Sequence, residues 1–275
     1  MKKTLGFFSL IYFFIPLALL EGAFSPKEAI ATVQTAEAIE SKWSKLNANN
    51  DHGFWFDNNF EKHLPLNFFM RFHTEHRWGN DYRKLWYQEY TLTLQYDMTR
   101  FLKKYADKIV SSFLIGPAYN AVYQFQKNTE GHYQWVYISE CMLQADLVLS
   151  KWGWRIQQRL RGELHHYCKN HYKDYALYRH RLTIFTPWKI TRWNINPFIA
   201  NEWFFRKNTY HQSHPTGLVG GWYQNRFRIG IMLDLSPDAA SAALYWQWRT
   251  DKTLPDIHPR WINLYTWGLS TVFPF

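Results

Sequence analysis

Apolar and polar residues alternate along most of the chain after residue 50, as they do in strands that have one apolar and one polar face. The segment that begins at Trp152 shows this most strongly. One face carries Trp152, Trp154, Ile156, Leu160 and Leu164, and the other carries Arg155, Gln157, Arg159, Arg161, Glu163 and His165. One surface of this strand is therefore as apolar as lipid, and the other is ionic.

Four further segments repeat the division. Their apolar faces contain Phe68, Met70 and Phe72; Trp86, Tyr90, Leu92, Leu94 and Tyr96; Phe227, Ile229, Ile231 and Leu233; and Leu244, Trp246 and Trp248. The opposing faces contain Arg71, His73, Glu75 and Arg77; Glu89, Thr91, Thr93 and Gln95; Arg226, Arg228 and Asp234; and Tyr245, Gln247 and Arg249.

Turn residues divide this part of the chain into about twelve segments that can each supply a barrel strand of ~9–11 residues. They are 53–62, 66–77, 84–97, 109–123, 132–149, 152–165, 175–187, 190–205, 216–224, 226–235, 239–250 and 259–275. We predict an all-β fold: an antiparallel, transmembrane, up-and-down β-barrel of about twelve strands over residues 51–275. The alternative is a soluble antiparallel sandwich with its apolar face inward.

The two kinds of face favour the membrane barrel. The apolar faces are rich in Trp and Tyr, which form the interfacial girdles of membrane barrels. The polar faces carry clustered Arg and Glu, which can pair across neighbouring strands inside a lumen. Aromatic residues make up 20% of the chain, although its mean hydropathy is negative. Half-buried strands account for such a mixture better than helical spans do.

The N-terminal region differs from the rest. Residues 1–25 begin with Lys2 and Lys3 and continue as an apolar run that is shorter than the ~20 residues of a spanning helix. This pattern predicts a secretory signal peptide rather than a membrane anchor. Cleavage near 22–25 and cleavage after the small-x-small sequence 29–31 both fit. Residues 26–50 are predicted to form a short helical or flexible arm.

The last segment resembles the C-terminal signal by which bacterial outer-membrane proteins engage their assembly machinery. It ends on an aromatic residue, and its apolar residues share one strand face: Trp267, Leu269, Phe273 and Phe275. Pro274 departs from the usual pattern, although its missing N–H suits a position at a barrel rim. We expect the protein to reside in the outer membrane of a Gram-negative bacterium, with outer-membrane lipids and the assembly machinery as partners.

Three short segments carry a resemblance to a known family. They are Phe54-Trp55-Phe56-Asp57-Asn58, Tyr178-Arg179-His180-Arg181-Leu182 and the stretch from Asn196 to Phe204. They resemble the bacterial domain-of-unknown-function family 2490, whose members carry signal peptides and look like outer-membrane barrels. The resemblance covers roughly residues 50–275 and rests on short, degenerate motifs. It implies no established activity, so no catalytic residue is carried over.

The ionic faces supply the candidate functional residues. We predict that these line the lumen: Arg71, Glu75, Arg77, Glu89, Arg155, Arg159, Arg161, Glu163, Arg179, Arg181, Glu202, Arg228 and Arg249. An arginine-lined open lumen would select anions. A network in which the glutamates neutralise the arginines would fill the lumen instead. Barrels of about eight strands are filled and those of 16–18 leave a channel, so a number near twelve does not decide.

Other chemistries have weaker signatures. The net charge of +10 fits anionic lipids or solutes, and the export signal argues against nucleic acid as a partner. A lipid-modifying enzyme, either a lipase or an acyltransferase, needs a serine beside a histidine. The serines at 111, 112, 139, 150 and 270 occur without a G-x-S-x-G motif. We therefore favour a narrow pore, a transport component or a structural membrane protein, with the enzyme as the alternative.

We expect neither a cofactor nor a metal. The histidines, including His73, His165 and His166, are interpreted as solvated loop and rim residues, although His211 and His214 could share a metal in a loop. Sequence does not establish whether Cys141 and Cys168 pair, and two separate thiols is the interpretation we favour.

One feature conflicts with the twelve-strand topology. With the N-terminus in the periplasm, the short connections at 150–151 and 188–189 fall outside, where long loops are expected.

Overall fold

A computed structural model of the chain describes residues 51–79, 84–106, 108–127, 133–167, 175–190, 194–207, 221–234, 240–252 and 261–274. The predicted signal peptide and arm lie outside these residues, as do Cys168, His211, His214 and Phe275. The described strands close into one barrel. They are β1 (Asp51–Leu64), β2 (Phe68–Gly79), β3 (Lys84–Asp97), β4 (Val110–Lys127), β5 (Tyr133–Lys151), β6 (Trp154–Tyr167), β7 (Tyr175–Phe185), β8 (Ile195–Lys207), β9 (Gly221–Asp234), β10 (Ser241–Lys252) and β11 (Trp261–Pro274).

The barrel has eleven strands in the described residues, against the expected number of about twelve. The described parts of the predicted segments 216–224 and 226–235 form one strand, β9. A β-bulge explains the difference: Phe204 pairs with Gln224, but Phe205 pairs with Trp222. The extra residue shifts the alternation of apolar and polar positions, and in the sequence this shift looks like a break between two strands.

Each strand is antiparallel to its sequence neighbour, and the barrel is closed by a parallel pair of β1 with β11. This seam pairs Asp51 with Leu264 at one end and Glu61 with Pro274 at the other. An odd number of strands places the start of β1 and the finish of β11 at opposite ends of the barrel. This departs from the even-stranded rule for bacterial outer-membrane barrels.

We call these two ends the β1 end, where Asp51 lies, and the β11 end, where Pro274 lies. The β11 end also carries the 3-10 turn Pro65–Asn67 and the two-residue turn of Trp152 and Gly153. Both residues of the latter turn have positive φ, 52° and 82°, as a type I′ hairpin requires. Trp152 therefore belongs to the turn rather than to the apolar strand face on which the sequence places it. The tight turns share an end with the C-terminal strand terminus and lie opposite the start of β1, so the short connections at 150–151 and 188–189 are still at the far end from Asp51.

The connection from β3 to β4 contains a helix, α1 (Thr99–Ala106), that the sequence pattern does not predict. It lies against the outside of the barrel, where Leu102 and Ala106 pack with the outward residues Leu147 and Leu149. Helices in the described part of the chain are too short, or too polar, to cross a membrane.

Side chains reinforce the parallel seam on both of its faces. On the outer face Thr271 Oγ1 donates to Asn58 Oδ1 at 2.6 Å, and Asn58 Nδ2 donates to Thr74 Oγ1 at 3.3 Å. On the inner face Ser270 Oγ donates to Asp57 Oδ1 at 2.5 Å, and Tyr245 donates to Asp57 Oδ2 at 3.2 Å. These bonds add lateral connections to a parallel ladder, which is slightly less stable per residue than an antiparallel one.

A disulfide can test the register of this seam. In a chain with Cys141 and Cys168 replaced by serine, Asn58→Cys with Thr271→Cys should cross-link, because neighbouring strands lie about 4.8 Å apart and a disulfide spans Cα distances of about 4.4–6.8 Å. Non-reducing gels of the oxidised protein would show a faster band. The control pair, Asn58→Cys with Leu269→Cys, is displaced by two residues to roughly 8 Å and should stay reduced. Equal cross-linking of the two pairs would contradict the register.

Candidate functional site: a charged network inside the barrel

Contacts between strands that are not neighbours identify the inner face. Arg71 on β2 reaches Asp146 on β5, with Nη1 and Oδ2 3.3 Å apart. Arg155 on β6 reaches Met232 on β9 at 3.3 Å. Such bonds can only cross the lumen. Since side chains alternate along each strand, the polar faces lie inside and the apolar faces lie outside.

A chain of polar contacts runs around the barrel, beginning on β2 and β3. Glu75 and Arg77 form an ion pair, and Arg77 Nη2 lies 3.9 Å from Glu89 Oε2. The Thr91 hydroxyl lies 3.1 Å from both Glu89 Oε1 and Asn120 Oδ1. These contacts connect β2 through β3 to β4.

The chain continues over β5 and β6 through a buried histidine. Asn120 Nδ2 donates to Glu140 at 2.6 Å. His165 lies between two carboxylates, with Nδ1 2.7 Å from Glu140 and Nε2 3.0 Å from Glu163. Glu163 also accepts a bond of 2.9 Å from Arg179 on β7.

Strands β7 to β9 bring the contacts back to β1. Arg179 donates to Glu202 on β8 at 3.0 Å, and Arg226 on β9 lies 3.6 Å from the other oxygen of Glu202. The guanidinium carbon of Arg226 lies 5.1 Å from the ring centroid of Trp55, and that of Arg77 lies 4.1 Å from it. Both are cation–π distances, so Trp55 links the first and last members of the chain.

We call this closed set the lumenal belt. Its members are Trp55, Glu75, Arg77, Glu89, Thr91, Asn120, Glu140, Glu163, His165, Arg179, Arg181, Glu202 and Arg226. Arg181 is included because its Nε lies 4.0 Å from Glu202. Five glutamates therefore face four arginines and one histidine.

The position of His165 defines its charge state. Both ring nitrogens lie within 3.0 Å of carboxylate oxygens. Nε2 has hydrogen-bond geometry to Glu163, whereas the contact of Nδ1 with Glu140 is electrostatic only. Two ionised carboxylates this close favour the imidazolium over the neutral ring. The ring also stacks on Tyr175, with centroids 4.3 Å apart. His165 is 7% exposed, which corrects its interpretation as a solvated rim histidine.

The same three side chains form the one cluster with metal-ligand potential found among the described residues: Glu140, Glu163 and His165, with ligand atoms within 4.8 Å of one another. The ring nitrogens of His165 point in different directions, and each faces a different glutamate. A metal on one nitrogen would thus leave the other glutamate on the far edge of the ring. The geometry fits an ion-paired imidazolium better than a chelate.

A second cluster surrounds Asp146 nearer the β11 end. Its carboxylate accepts bonds from Arg159 at 2.6 Å, Gln144 at 2.6 Å, Gln95 at 3.0 Å and Arg71 at 3.3 Å. One acid thus satisfies two arginines and two amides. Four donors of this kind replace the water that a buried carboxylate loses.

The remaining predicted arginines have more varied partners. Arg161 donates to Gln144 and Arg228 to Gln247, at 2.6 and 2.7 Å. Arg155 lies over the Phe185 ring at 4.0 Å. Arg249 forms an ion pair with Asp251.

Many inward side chains of the described strands are out of contact with water. Gln95, Gln144 and Gln247 are each 0% exposed, although all three face inward. Bulky residues fill the space between the polar ones, since Trp55, Phe204 and Tyr245 are each 2% exposed. An open aqueous channel would leave lumenal side chains wet.

All thirteen sequence-predicted lumen residues lie on the inner face. Sequence reasoning did not include Glu140, Asp146 and Arg226 among them, nor Trp55 and His165. On β5 the inner positions include Val136, Ile138 and Met142, so alternation there gives little contrast. Arg226 lies two residues from Arg228, and His165 lies two residues from Glu163, so each shares a strand face with a predicted lumen residue. The alternation could therefore have placed both on the inner face.

The predicted assembly residues lie on the outer face of β11. Trp267 is 50% and Phe273 is 38% exposed, and Leu269 shares their face. Phe273 stacks on Phe60 across the seam, with centroids 5.4 Å apart. Phe275 lies outside the described residues.

The outer face also carries a serine and a histidine in register. Ser139 on β5 pairs with His166 on β6 near the β1 end, and His166 is exposed. Directly opposite residues have Cβ atoms about 4.5–5.5 Å apart. Cys141, two residues from Ser139, is also outward and exposed.

No protein-family model matches the chain, and a search of curated proteins finds no match either. The resemblance to family 2490 stays a prediction.

Loss of one belt charge should destabilise the barrel. Glu202 lies within 4.0 Å of three arginines and its side chain is 3% exposed. Glu202→Gln would leave buried like charges, and we expect the free energy of unfolding to fall by about 3–5 kcal/mol. Urea unfolding of the refolded protein, followed by tryptophan fluorescence, measures it.

The matched control is Glu61→Gln. Glu61 is 26% exposed, and its partner Arg71 retains Asp146. We expect a loss of about 1 kcal/mol or less for this partly exposed pair. Similar losses for the two variants would show that the belt is not a stabilising network.

Proposed function

We propose that the protein is an integral β-barrel of the bacterial outer membrane whose lumen is closed, and that it acts as a structural or scaffolding membrane protein rather than as a pore. The observation that carries this proposal is the inverted polarity of the barrel. Its inner face is ionic, and its outer face is apolar. A water-soluble barrel has the opposite arrangement, because its apolar side chains form the core.

The outer wall is suited to hydrocarbon. Leu92, Leu143, Leu164 and Ile229 are each more than half exposed on it. Among the outward positions of the described strands, those more than two residues from a strand end carry no Lys, Arg, Asp or Glu. In water such a continuous apolar wall would be an aggregation surface. In a bilayer the same wall would contact the hydrocarbon chains of the lipids.

Aromatic side chains concentrate near both ends of the wall. Towards the β11 end these are Phe60, Phe68, Tyr96, Trp154 and Phe273, and towards the β1 end they are Phe125, Trp135, Trp222, Trp248 and Trp261. On β11 Phe273 lies twelve positions after Trp261. At a tilt of about 40° this spans about 30 Å along the axis, close to the hydrocarbon thickness of a bilayer.

The orientation follows from the resemblance of β11 to an outer-membrane assembly signal. The side chains of Trp267, Leu269 and Phe273 form one outward row on β11. Such a row is what assembly machinery would recognise in a C-terminal strand. We propose that the β11 end, with its tight turns, faces the periplasm, in keeping with short periplasmic turns in such barrels. This proposal includes export by the N-terminal signal peptide and membership of family 2490.

The closed lumen argues against a pore. Eleven strands lie nearer to the filled barrels of about eight strands than to the 16–18-stranded channels. The lumenal belt joins opposite charges instead of presenting a single sign to solvent. An anion-preferring pore would need arginines that face water, and Arg159 and Arg181 have side chains only 22% and 23% exposed.

Cell fractionation and planar bilayers test the proposal together. We expect the full chain in the outer-membrane fraction, with a heat-dependent shift in gel mobility, and no steady current after reconstitution. Arg155→Glu with Arg159→Glu should lower the stability of the barrel, because the second change buries a like charge beside Asp146 and the first places one near Asp234. Recovery as a soluble periplasmic protein would refute the membrane assignment. A steady anion current that the double variant reverses would refute the closed lumen.

Lipid hydrolysis is a second candidate function, and it depends on the outward pair of Ser139 and His166. Ser139 Oγ would attack the ester carbonyl carbon while His166 takes the hydroxyl proton and passes it to the departing alcohol. Water would then hydrolyse the acyl-enzyme. A nucleophile on the lipid-facing wall would meet its substrate within the membrane.

This candidate predicts fatty-acid release from phospholipid vesicles by the wild-type protein. Ser139→Ala should lower release at least 100-fold with no change in heat-dependent gel mobility. Ser150→Ala is the matched control, since Ser150 pairs with Arg155 rather than with a histidine, and it should retain full activity. A wild type without release, or equal release by both variants, would exclude the serine mechanism.

A further inference from the structure

Helix α1 lies on the outer surface of the barrel at the β11 end, with one face turned to the wall. Leu102 and Ala106 on this face, with Ile109 just beyond the helix, pack against Leu147 and Leu149 of β5. The helix therefore covers part of the apolar wall at its rim instead of extending away from it.

Hydrogen bonds hold the helix in this position. The backbone N–H of Thr99 donates to Asp97 Oδ1 at 2.8 Å, and that of Phe113 donates to Thr99 Oγ1 at 2.9 Å. Beyond the helix, the N–H of Ser150 donates to the carbonyl of Ile109 at 2.8 Å. Both ends are thus tied to the strands, and the orientation of the helix relative to the wall is fixed.

The opposite face of α1 is cationic. Arg100, Lys103 and Lys104 are exposed, and the 3.6-residue period places them away from Leu102 and Ala106. Lys108 follows, also exposed. Phe101 stands among these cations and is 58% exposed. Basic residues beside an exposed aromatic are typical of helices that lie in a membrane interface.

Neighbouring connections extend this face along the rim. The turn after β5 brings Lys151, whose Nζ lies 4.2 Å from the Trp152 ring centroid, and Trp152 is 82% exposed. Trp154 lies 6.3 Å from Trp188, which is 63% exposed and precedes Lys189. We call the whole surface the cationic rim: Arg100, Phe101, Lys103, Lys104, Lys108, Lys151, Trp152, Trp154, Trp188 and Lys189.

Acidic residues are scarce here. Asp97 is the one acidic residue in the described parts of segments 97–110, 149–155 and 185–190, and its carboxylate caps α1. Asp107 lies outside the described residues. Six cations therefore share one rim with two acids at most, while the adjoining wall carries no charge away from its strand ends.

We infer that the cationic rim binds the anionic headgroups of phospholipids in the leaflet at the β11 end. The inference rests on the proposed membrane location. The lysines and Arg100 would contact lipid phosphates, and the exposed tryptophans would lie at headgroup depth, where Trp is enriched in membrane proteins. In the proposed orientation this leaflet faces the periplasm, so the occupant is an anionic glycerophospholipid. The contact would hold the barrel at a fixed depth and favour an anionic lipid shell.

Lipid titration followed by native mass spectrometry tests the inference. The full chain, folded in neutral detergent, is titrated with phosphatidylglycerol and separately with phosphatidylcholine. We expect the apparent Kd for phosphatidylglycerol to be at least tenfold lower, and we expect this preference to fall as salt is raised, because surface charges are screened. Arg100→Gln with Lys103→Gln and Lys104→Gln should lose at least fivefold of the preference.

Two control variants separate site binding from net charge and from misfolding. Lys84→Gln with Lys127→Gln and Lys207→Gln removes three charges at the β1 end, and it should keep the preference within twofold. Arg100→Lys with Lys103→Arg and Lys104→Arg keeps the rim charge and should retain full binding. Equal loss in both glutamine variants, or retention in the rim variant, would overturn the inference.

Insertion into phosphatidylcholine vesicles, read by heat-dependent gel mobility, is measured in parallel. Failure of the wild type to insert would refute the membrane assignment itself. Insertion without any preference for phosphatidylglycerol would refute the cationic rim alone.

Discussion

A carboxylate enclosed in a barrel has lost most of its water, and it stays ionised only where cations and hydrogen-bond donors replace that water. The lumenal belt makes this replacement with partners from different strands: Glu140 on β5 contacts His165 on β6, Glu163 on β6 contacts Arg179 on β7, and Glu202 on β8 contacts arginines on β7 and β9. A slip of one residue would turn the belt member of a strand to the outer face. The remaining members would then be buried without partners, so the belt acts as a constraint on strand register around the whole barrel.

The ionic interior also determines what the outside can be. Because adjacent residues of a strand point to opposite sides, a strand that supplies Arg159 and Arg161 to the lumen places Leu160 on the outer wall. Repeated over the strands, this rule produces a lumen full of charge and an apolar wall in one step. Charges moved to the middle of that wall would cost about 2–4 kcal/mol each in a bilayer, so the proposed environment and the internal network favour the same register.

The alternation of residues placed thirteen candidate residues on the face that the structure turns inward, but it could not give their height along the axis. His165 has the parity of Glu163, and its burial depends on the stagger of β6 against β5, which sequence does not contain. Glu140 shares the inner face of β5 with Ile138 and Met142, so no ionic stripe marks it. The bulge in β9 shifted the phase within one strand and suggested two. Helix α1 has two turns, too few for its period to stand out beside the strands.

The parallel seam shows why side chains, and not only ladders, must close this barrel. The first and last strands are far apart in sequence, so their pairing pays a larger loop-closure entropy than any hairpin does. Its ladder is also of the weaker, parallel kind. Asp57 inside and Asn58 outside each bind β11, and each reaches a further strand, β10 or β2. In hydrocarbon the outward amide of Asn58 would cost several kcal/mol without partners, so its bonds to Thr271 and Thr74 make the correct closure the favourable one. In the proposed closed barrel, the surfaces that can meet other molecules are the outer wall and the two rims.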